Sequence, residues 1–486
     1  MGMSLSNFSS RSARRFSRGA LVALASLGAL GLASCGGSGS DSELAHVRLV
    51  NLVTDSPTIS LDDDGTSLGT APYGAMTAYA ASKGGSHSLS VSYLVPSNQT
   101  TGYTASYKTF GTALTQSLAG QEDYTVFAIG TIASPQLIVL SGKKQRDPVQ
   151  DNHFIYQFAN AAPNAGPVTV TVTFPEGGIA SPTTVGTLAV GQATDETDVQ
   201  LTSLASSSGT TLTGTISMQF RNSAGALLLD SGPLQVTEQT RILFVAIDRV
   251  GPGSSPAQML IVSGTAAAAG QILSASTDGA EFNFANISPD AGPLDLIAGS
   301  PLNVQYASNI GFGQQSAFNV LPPYSTGTIA TPTGQHNSPL FVQQITASAN
   351  ASYTIYAQGN MPTVASLLVT TDRRSTPTEA RVRFLIGAVS RSGQPATDIY
   401  LVPSGVALDL TATHVPASVA ALPYLSASSY FSIAPGVYDV HTNIAGSSVG
   451  VLNTTISVTA GAVQTFVMAD QPGGGLTLLP FDDARH

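Results

Sequence analysis

Residues 282–298 read FNFANISPDAGPLDLIA, two apolar runs separated by a polar turn holding two prolines and a glycine. Pro289 and Pro293 cannot donate to a strand ladder, and Asp290 and Gly292 favour turn backbone, so the chain must turn between the runs. The pattern recurs as HVRLVNLVTDSP from His46, IYQFANAAPNAGP from Ile155 and RVRFLIGAVSRSGQP from Arg381. Each opening leads into TISLD, VTVTVTF, LDLIA or TDIYLV, whose alternation marks a strand with one buried face.

Four closing segments are also alike: DYTVFAIG from Asp123, RILFVAID from Arg241, SYTIYAQG from Ser352 and QTFVMADQ from Gln464. A final apolar run follows each, QLIVLSG, QMLIVSG, SLLVTTD or LTLLPFD. Matching signatures at both ends define four repeated units. Helical periodicity is absent beyond the amino terminus, and short strands with Gly, Pro, Asn and Asp turns point to an all-β fold. The expectation is four tandem immunoglobulin-like or transthyretin-like β-sandwiches at residues 45–142, 152–264, 280–372 and 379–481. Linkers at Lys143–Pro148 and Asp372–Pro377 are short and end on proline, which predicts a semi-rigid rod.

Aromatic and glycine positions repeat inside the units. Pro72-Tyr73-Gly74 precedes Tyr79, Pro423-Tyr424 precedes Tyr430, and the fourth unit continues as Ala434-Pro435-Gly436-Val437-Tyr438-Asp439-Val440. Gly311-Phe312-Gly313 with Phe318 is a looser version in the third, and the second has a divergent centre from Gly177 to Gly225. The opening turn and this aromatic middle together resemble the bacterial family of domain of unknown function 4397. The fourth unit carries the resemblance best and the first and third moderately. The resemblance implies tandem β-sandwich repeats in exported and surface lipoproteins, and implies no catalytic residues.

The amino terminus has its own logic. Arg11, Arg14, Arg15 and Arg18 precede an uncharged apolar run from Ala20 to Ala33. Fourteen residues are too few for the roughly 20 that span a bilayer core. They suit the apolar part of a secretory signal. Leu32-Ala33-Ser34-Cys35 looks like a lipobox, with cleavage between Ser34 and Cys35 and diacylglycerol carried on the Cys35 thiol. Residues 1–34 are then a signal peptide and 35–44 a flexible tether. The expected partner is the membrane, through two or three acyl chains on Cys35. Gly36, where an Asp would signal inner-membrane retention, favours the outer membrane of a Gram-negative cell.

Composition narrows the rest. Without residues 1–34 the 19 basic residues fall to 15 against 29 acidic ones, and such a surface repels nucleic-acid phosphates. Cys35 is the single cysteine, so no intramolecular disulfide forms and stability must come from buried apolar surface.

Candidate chemistry is sparse. Asp62-Asp63-Asp64-Gly65 is the densest carboxylate cluster; it reads first as a hairpin turn and second as a weak metal candidate, calcium above all. Repetition of Ala162–Gly166 and Ser288–Gly292 between units favours a structural turn in which Asn164 and Asp290 cap their own backbone. The seven histidines are scattered singly, H-E-x-x-H and phosphate-loop patterns are absent, and without helical periodicity there is no G-x-S-x-G elbow for an acyl hydrolase. Ser141-Gly142-Lys143-Lys144 contains S-x-x-K after a final strand, where that chemistry has no helix to sit on. Tyr124 and Tyr353 fall on expected core strands, and without tryptophan a sugar-stacking face has little to use. No catalytic residue and no cofactor is expected. The leading expectation is a non-catalytic lipid-anchored scaffold, adhesion or binding module of the cell envelope, whose partner is an envelope protein or glycan. The alternatives are a glycan- or ion-binding accessory protein and a hydrolase with an unrecognised site.

Overall fold

The computed structural model describes residues 44–96, 106–143, 145–201, 211–275, 278–298, 304–321, 325–408 and 417–485. Cys35, with residues 1–34 and the tether up to residue 43, lies outside the described residues.

Each repeat folds into two stacked sheets. In the first, the opening strand Leu44–Val53 runs parallel to the closing strand Glu122–Thr131, and the final strand Ser134–Lys143 pairs antiparallel beyond it. Ala75–Met76 and Ala80–Lys83 pair on the other side of the opening strand. The second sheet has the order Thr66–Ala71, Ile59–Asp63, Gly85–Val95, Ser106–Leu118. The other repeats follow the same plan, with parallel pairs His153–Ala161 on Thr240–Asp248, Ala280–Asn286 on Ser352–Gln358 and Ala380–Ile386 on Val463–Asp470. An immunoglobulin-type sandwich places its first two strands in one sheet. Here the first and second strands of every repeat lie in different sheets, which leaves the transthyretin-like alternative.

The opening and closing strands are buried on both faces. All seven residues of Ala280–Asn286 and of Ser352–Gln358 are buried, whereas Val168–Phe174 in an outer sheet alternates between buried and half-buried. One face of each such strand meets its own sandwich core. The other meets a neighbouring sandwich. Val50, Leu52, Phe127 and Ile129 of the first pack with Leu243, Val245, Ile247 and Leu260 of the second. Ala285, Ile287 and Tyr356 of the third pack with Leu385, Val467, Ala469 and Phe481 of the fourth. The repeats therefore form two pairs, each a stack of four sheets. This corrects the rod of linker-joined sandwiches expected from the linkers: the inner sheets bury apolar surface against each other, and that burial joins neighbours within a pair.

Residues after Gly264, which fall between the second and third expected sandwiches, stitch the first pair together. Ala268–Ala269 extends the first sandwich through Ala75–Met76, and Gln271–Leu273 extends the second through Ala257–Ser263. Between them Gly270 donates its N–H to the Gly74 carbonyl at 2.8 Å. A Cβ on Gly270 would lie 2.3 Å from Leu260 Cδ1 and 2.9 Å from the Gly74 oxygen, so only glycine allows this approach.

The repeated turn is structural, but a different residue holds it. Asn160 Nδ2 donates to the Gly166 and Leu188 carbonyls (2.8 and 3.0 Å), and its Oδ1 accepts from Ala162 N–H. Asn286 does the same with Gly292, Ile310 and Ser288. The capping side chain thus sits in the opening strand, and the expected cap residues reach outward instead. Asn164 binds Asp248, and Asp290 accepts from the Met361 N–H. Buried amides satisfied on both sides specify the turn, because an orphaned one would cost about 1–3 kcal/mol.

Candidate functional site

The hairpin expected at Asp62–Gly65 is present. Asp63 pairs with Thr66, leaving the two-residue loop Asp64-Gly65 at φ of 49° and 82°, the doubly positive backbone of a type I′ turn. Its three aspartates part company. Asp62 accepts the hydroxyls of Ser60 and Ser92, both at 2.9 Å. Asp63, buried, accepts the Ser82 hydroxyl and lies 2.9 Å from His87 Nδ1. Asp64 accepts from Ser88 N–H and lies 3.0 Å from the same nitrogen.

Asp63, Asp64 and His87 consequently offer three ligand atoms within 4.8 Å of one another. Two carboxylate oxygens and an imidazole nitrogen suit zinc or a related transition metal better than calcium, which takes six to eight oxygens. A proton on Nδ1 bridging both carboxylates satisfies the same geometry. Composition and spacing pointed to Asp62, Asp63 and Asp64; the fold removes Asp62 from that set and supplies His87 from the strand Gly85–Val95. The signal for His87 was its alternation with the core residues Leu89 and Val91, which places it one register step from the hairpin.

The remaining candidates are placed singly. His153 meets Asp198 at 2.7 Å, His336 meets Asp295 at 3.1 Å, and His441 meets Asn453. Tyr124 and Tyr353 are core residues, as read from the sequence. Ser141 lies within the final strand Ser134–Lys143, and Lys144 falls outside the described residues.

Two polar constellations that sequence reasoning missed lie at the inner interfaces. Arg48 Nε donates to Thr125 Oγ1 at 2.9 Å, its guanidinium lies 4.5 Å from the Tyr79 ring centre, and it reaches the Gly264 carbonyl of the second sandwich at 3.0 Å. Arg383 repeats this with Thr465 (2.7 Å), the Tyr430 ring (4.4 Å) and the Thr370 carbonyl of the third sandwich (2.6 Å). Tyr79 donates to the Gln145 amide oxygen, whereas Tyr430 donates to the Asp483 carboxylate at 2.7 Å. Burial pushes the Asp483 carboxyl above the usual carboxylate range, against the pull of Arg383, and it pushes the Tyr430 phenol up as well. The quoted HVRLV and RVRFL openings carried the two arginines, but nothing in them showed that a second sandwich would cover the arginine face.

Fold and sites together define a tandem β-sandwich protein with polar sites at turns and between sandwiches. The chain belongs to the family described as Domain of unknown function (DUF4397), which matches residues 45–171 and 280–400, about half of its length. Each match begins at the first sandwich of a pair and runs into the second sandwich of that pair. The Pro435–Val440 middle of the fourth unit, quoted above for the resemblance, lies outside the matched residues. A search of curated proteins finds no match. Among solved structures the chain is similar to the Bacillus anthracis TIE protein at 9% identity and a TM-score of 0.14, over 84% of this chain. The chain spans 65% of that protein's length. Among the described residues no helix is long and apolar enough to cross a membrane.

Proposed function

We propose that this protein is a non-catalytic, lipid-anchored envelope lipoprotein that presents two sandwich pairs beside a membrane as a scaffold or binding module. The observation that carries the reading is the solitary Cys35 directly after Leu32-Ala33-Ser34, behind a basic and apolar leader. The first sandwich begins at Leu44, nine residues beyond Cys35. Gly36 favours the outer membrane. The low share of charged residues, 10%, and the sandwich repeats support a presenting role rather than a chemical one.

The test is direct. The purified native chain should carry fatty acid on Cys35 by mass spectrometry and enter the detergent phase on partitioning, and Cys35→Ser should move it to the aqueous phase. Native protein without acyl chains ends the proposal. A second reading, an ion-binding accessory role, rests on Asp63, Asp64 and His87.

A further inference from the structure

Four arginines from separate parts of the chain line one cleft. Arg249 follows the closing strand of the second sandwich, Arg373 and Arg374 lie in the linker between the third and fourth, and Arg485 follows the last strand. The cavity measures about 910 Å³, and Tyr73 and Asn350 contribute to its wall from the first and third sandwiches. Small-molecule sites commonly occupy about 300–1,000 Å³. Asp372 is the one acidic residue among the lining residues, and Arg381 already holds it at 2.6 Å. A net positive cleft is unexpected in a chain of 29 acidic residues and demands a reason.

The arginines are unequally occupied. Arg373 is saturated: it binds Glu281 at 2.8 Å, donates to the Asp483 and Ala484 carbonyls, and lies 3.6 Å from the Phe318 ring centre. Arg485 shares the same Glu281 carboxylate. Arg374 donates one nitrogen to the Ser56 carbonyl and lies 5.0 Å from the Tyr73 ring centre. Arg249 donates to the Gly251 carbonyl of its own loop, and its Nε is buried without a hydrogen-bond partner. Asn350 fixes that loop by donating to the Val250 carbonyl at 2.9 Å. Burial, with repulsion from Arg373 and Arg249, depresses the Arg485 guanidinium pKa against the pull of Glu281; burial, with repulsion from Arg381, does the same to Arg374 against the pull of Asp372 and Glu379. An anion in the cleft would relieve that crowding.

We propose that the cleft binds a small oligo-anion whose carboxylate or phosphate groups engage Arg249, Arg374 and Arg485. Guanidinium forks match both groups bidentately, and low-dielectric walls concentrate the local positive field although the whole surface is acidic. Carboxylates of an acidic saccharide and phosphates of a small metabolite share this chemistry. The site goes beyond the anchoring role and does not depend on Cys35, so a negative result here leaves the acylation test untouched.

The experiment titrates the full mature chain calorimetrically with pyrophosphate, trigalacturonate and uncharged maltotriose. Saturable binding of at least one anionic probe below about 1 mM, weakening with salt, is expected. Pyrophosphate alone would identify a phosphate source, trigalacturonate alone a carboxylate source. Arg249→Gln and Arg374→Gln should each weaken it at least tenfold at a temperature where both variants are folded by circular dichroism. Phenylglyoxal labelling read by peptide mass spectrometry needs no variant: the bound probe should protect Arg249, Arg374 and Arg485. Absence of anion binding, equal binding of maltotriose, or labelling of all three arginines undiminished by the probe overturns the proposal.

Discussion

The two inner interfaces solve one problem in different ways. Between the first and second sandwiches the inner sheets meet, among the described residues, through twelve buried apolar side chains, Phe127, Leu243 and Leu260 among them. Between the third and fourth the buried apolar set has seven members, and Arg383, Thr465, Tyr430 and Asp483 form a polar network beside it. Asp483 is fully buried, and at the corresponding place the first pair has the uncharged Gln145. The contrast teaches that a sheet face can be covered by apolar bulk or by apolar bulk with a polar network, and that the second is fragile to the loss of one member.

Several measurements would break or sharpen that contrast. Phe127→Ala should cost about 3–5 kcal/mol through lost transfer energy and a cavity, read by urea denaturation; a cost below about 1 kcal/mol would show that the first interface is not apolar-driven. Arg383→Met strands the Asp483 carboxyl in the interior and should cost about 3–5 kcal/mol, recovered in large part by adding Asp483→Leu. Arg48→Met loses hydrogen bonds to a hydroxyl and a carbonyl while the nearby buried Asp123 keeps its Arg146 partner, and should cost about 1–3 kcal/mol. Equal losses at Arg48 and Arg383 would erase the distinction between the pairs.

The pH profile gives two opposite signs within the second pair. Burial raises the Asp483 carboxyl, so the folded state keeps its proton longer than the unfolded chain. Its contribution is fully present below about pH 3.9 and is lost as pH rises through the raised folded value. Asp295 behaves oppositely. Burial raises it, but hydrogen bonds from the Asn309 and Gly334 N–H groups, His336 and Thr333 outweigh that and hold it low. Its contribution is present above about pH 3.9 and is lost as pH falls through the folded value. Asp483→Asn should remove the first component of a stability-against-pH series and leave the second; a profile unchanged by it would refute the assignment. The smallest effect belongs to the turn: zinc at ten times its Kd should add about 1.4 kcal/mol, lost in His87→Ala and retained in Asp62→Asn. A thermal shift that ignores His87 would return Asp63 and Asp64 to plain turn residues.

Strand identity was legible because apolar runs such as FNFANI and VTVTVTF are bounded by proline, glycine and aspartate, and Asp64-Gly65 named its own turn. The pairing was not. A run buried on both faces carries no mark of whether its second face meets another sheet of the same domain or a separate domain. The alanine-rich segment after Gly264 shows no alternation, yet it forms two short strands because open sheet edges from both sandwiches lie beside it. Histidine 87 and the aspartates stand more than twenty positions apart, and strand register alone joined them.

Local chemistry determined four all-β repeats and their turns, since backbone preference and hydrophobic period act over a few neighbouring residues. Tertiary structure alone decided the two pairs, the exchange of Asp62 for His87 and the gathering of Arg249, Arg374 and Arg485. Those juxtapositions depend on which faces are buried against each other, and burial is a property of the assembled chain rather than of any window along it.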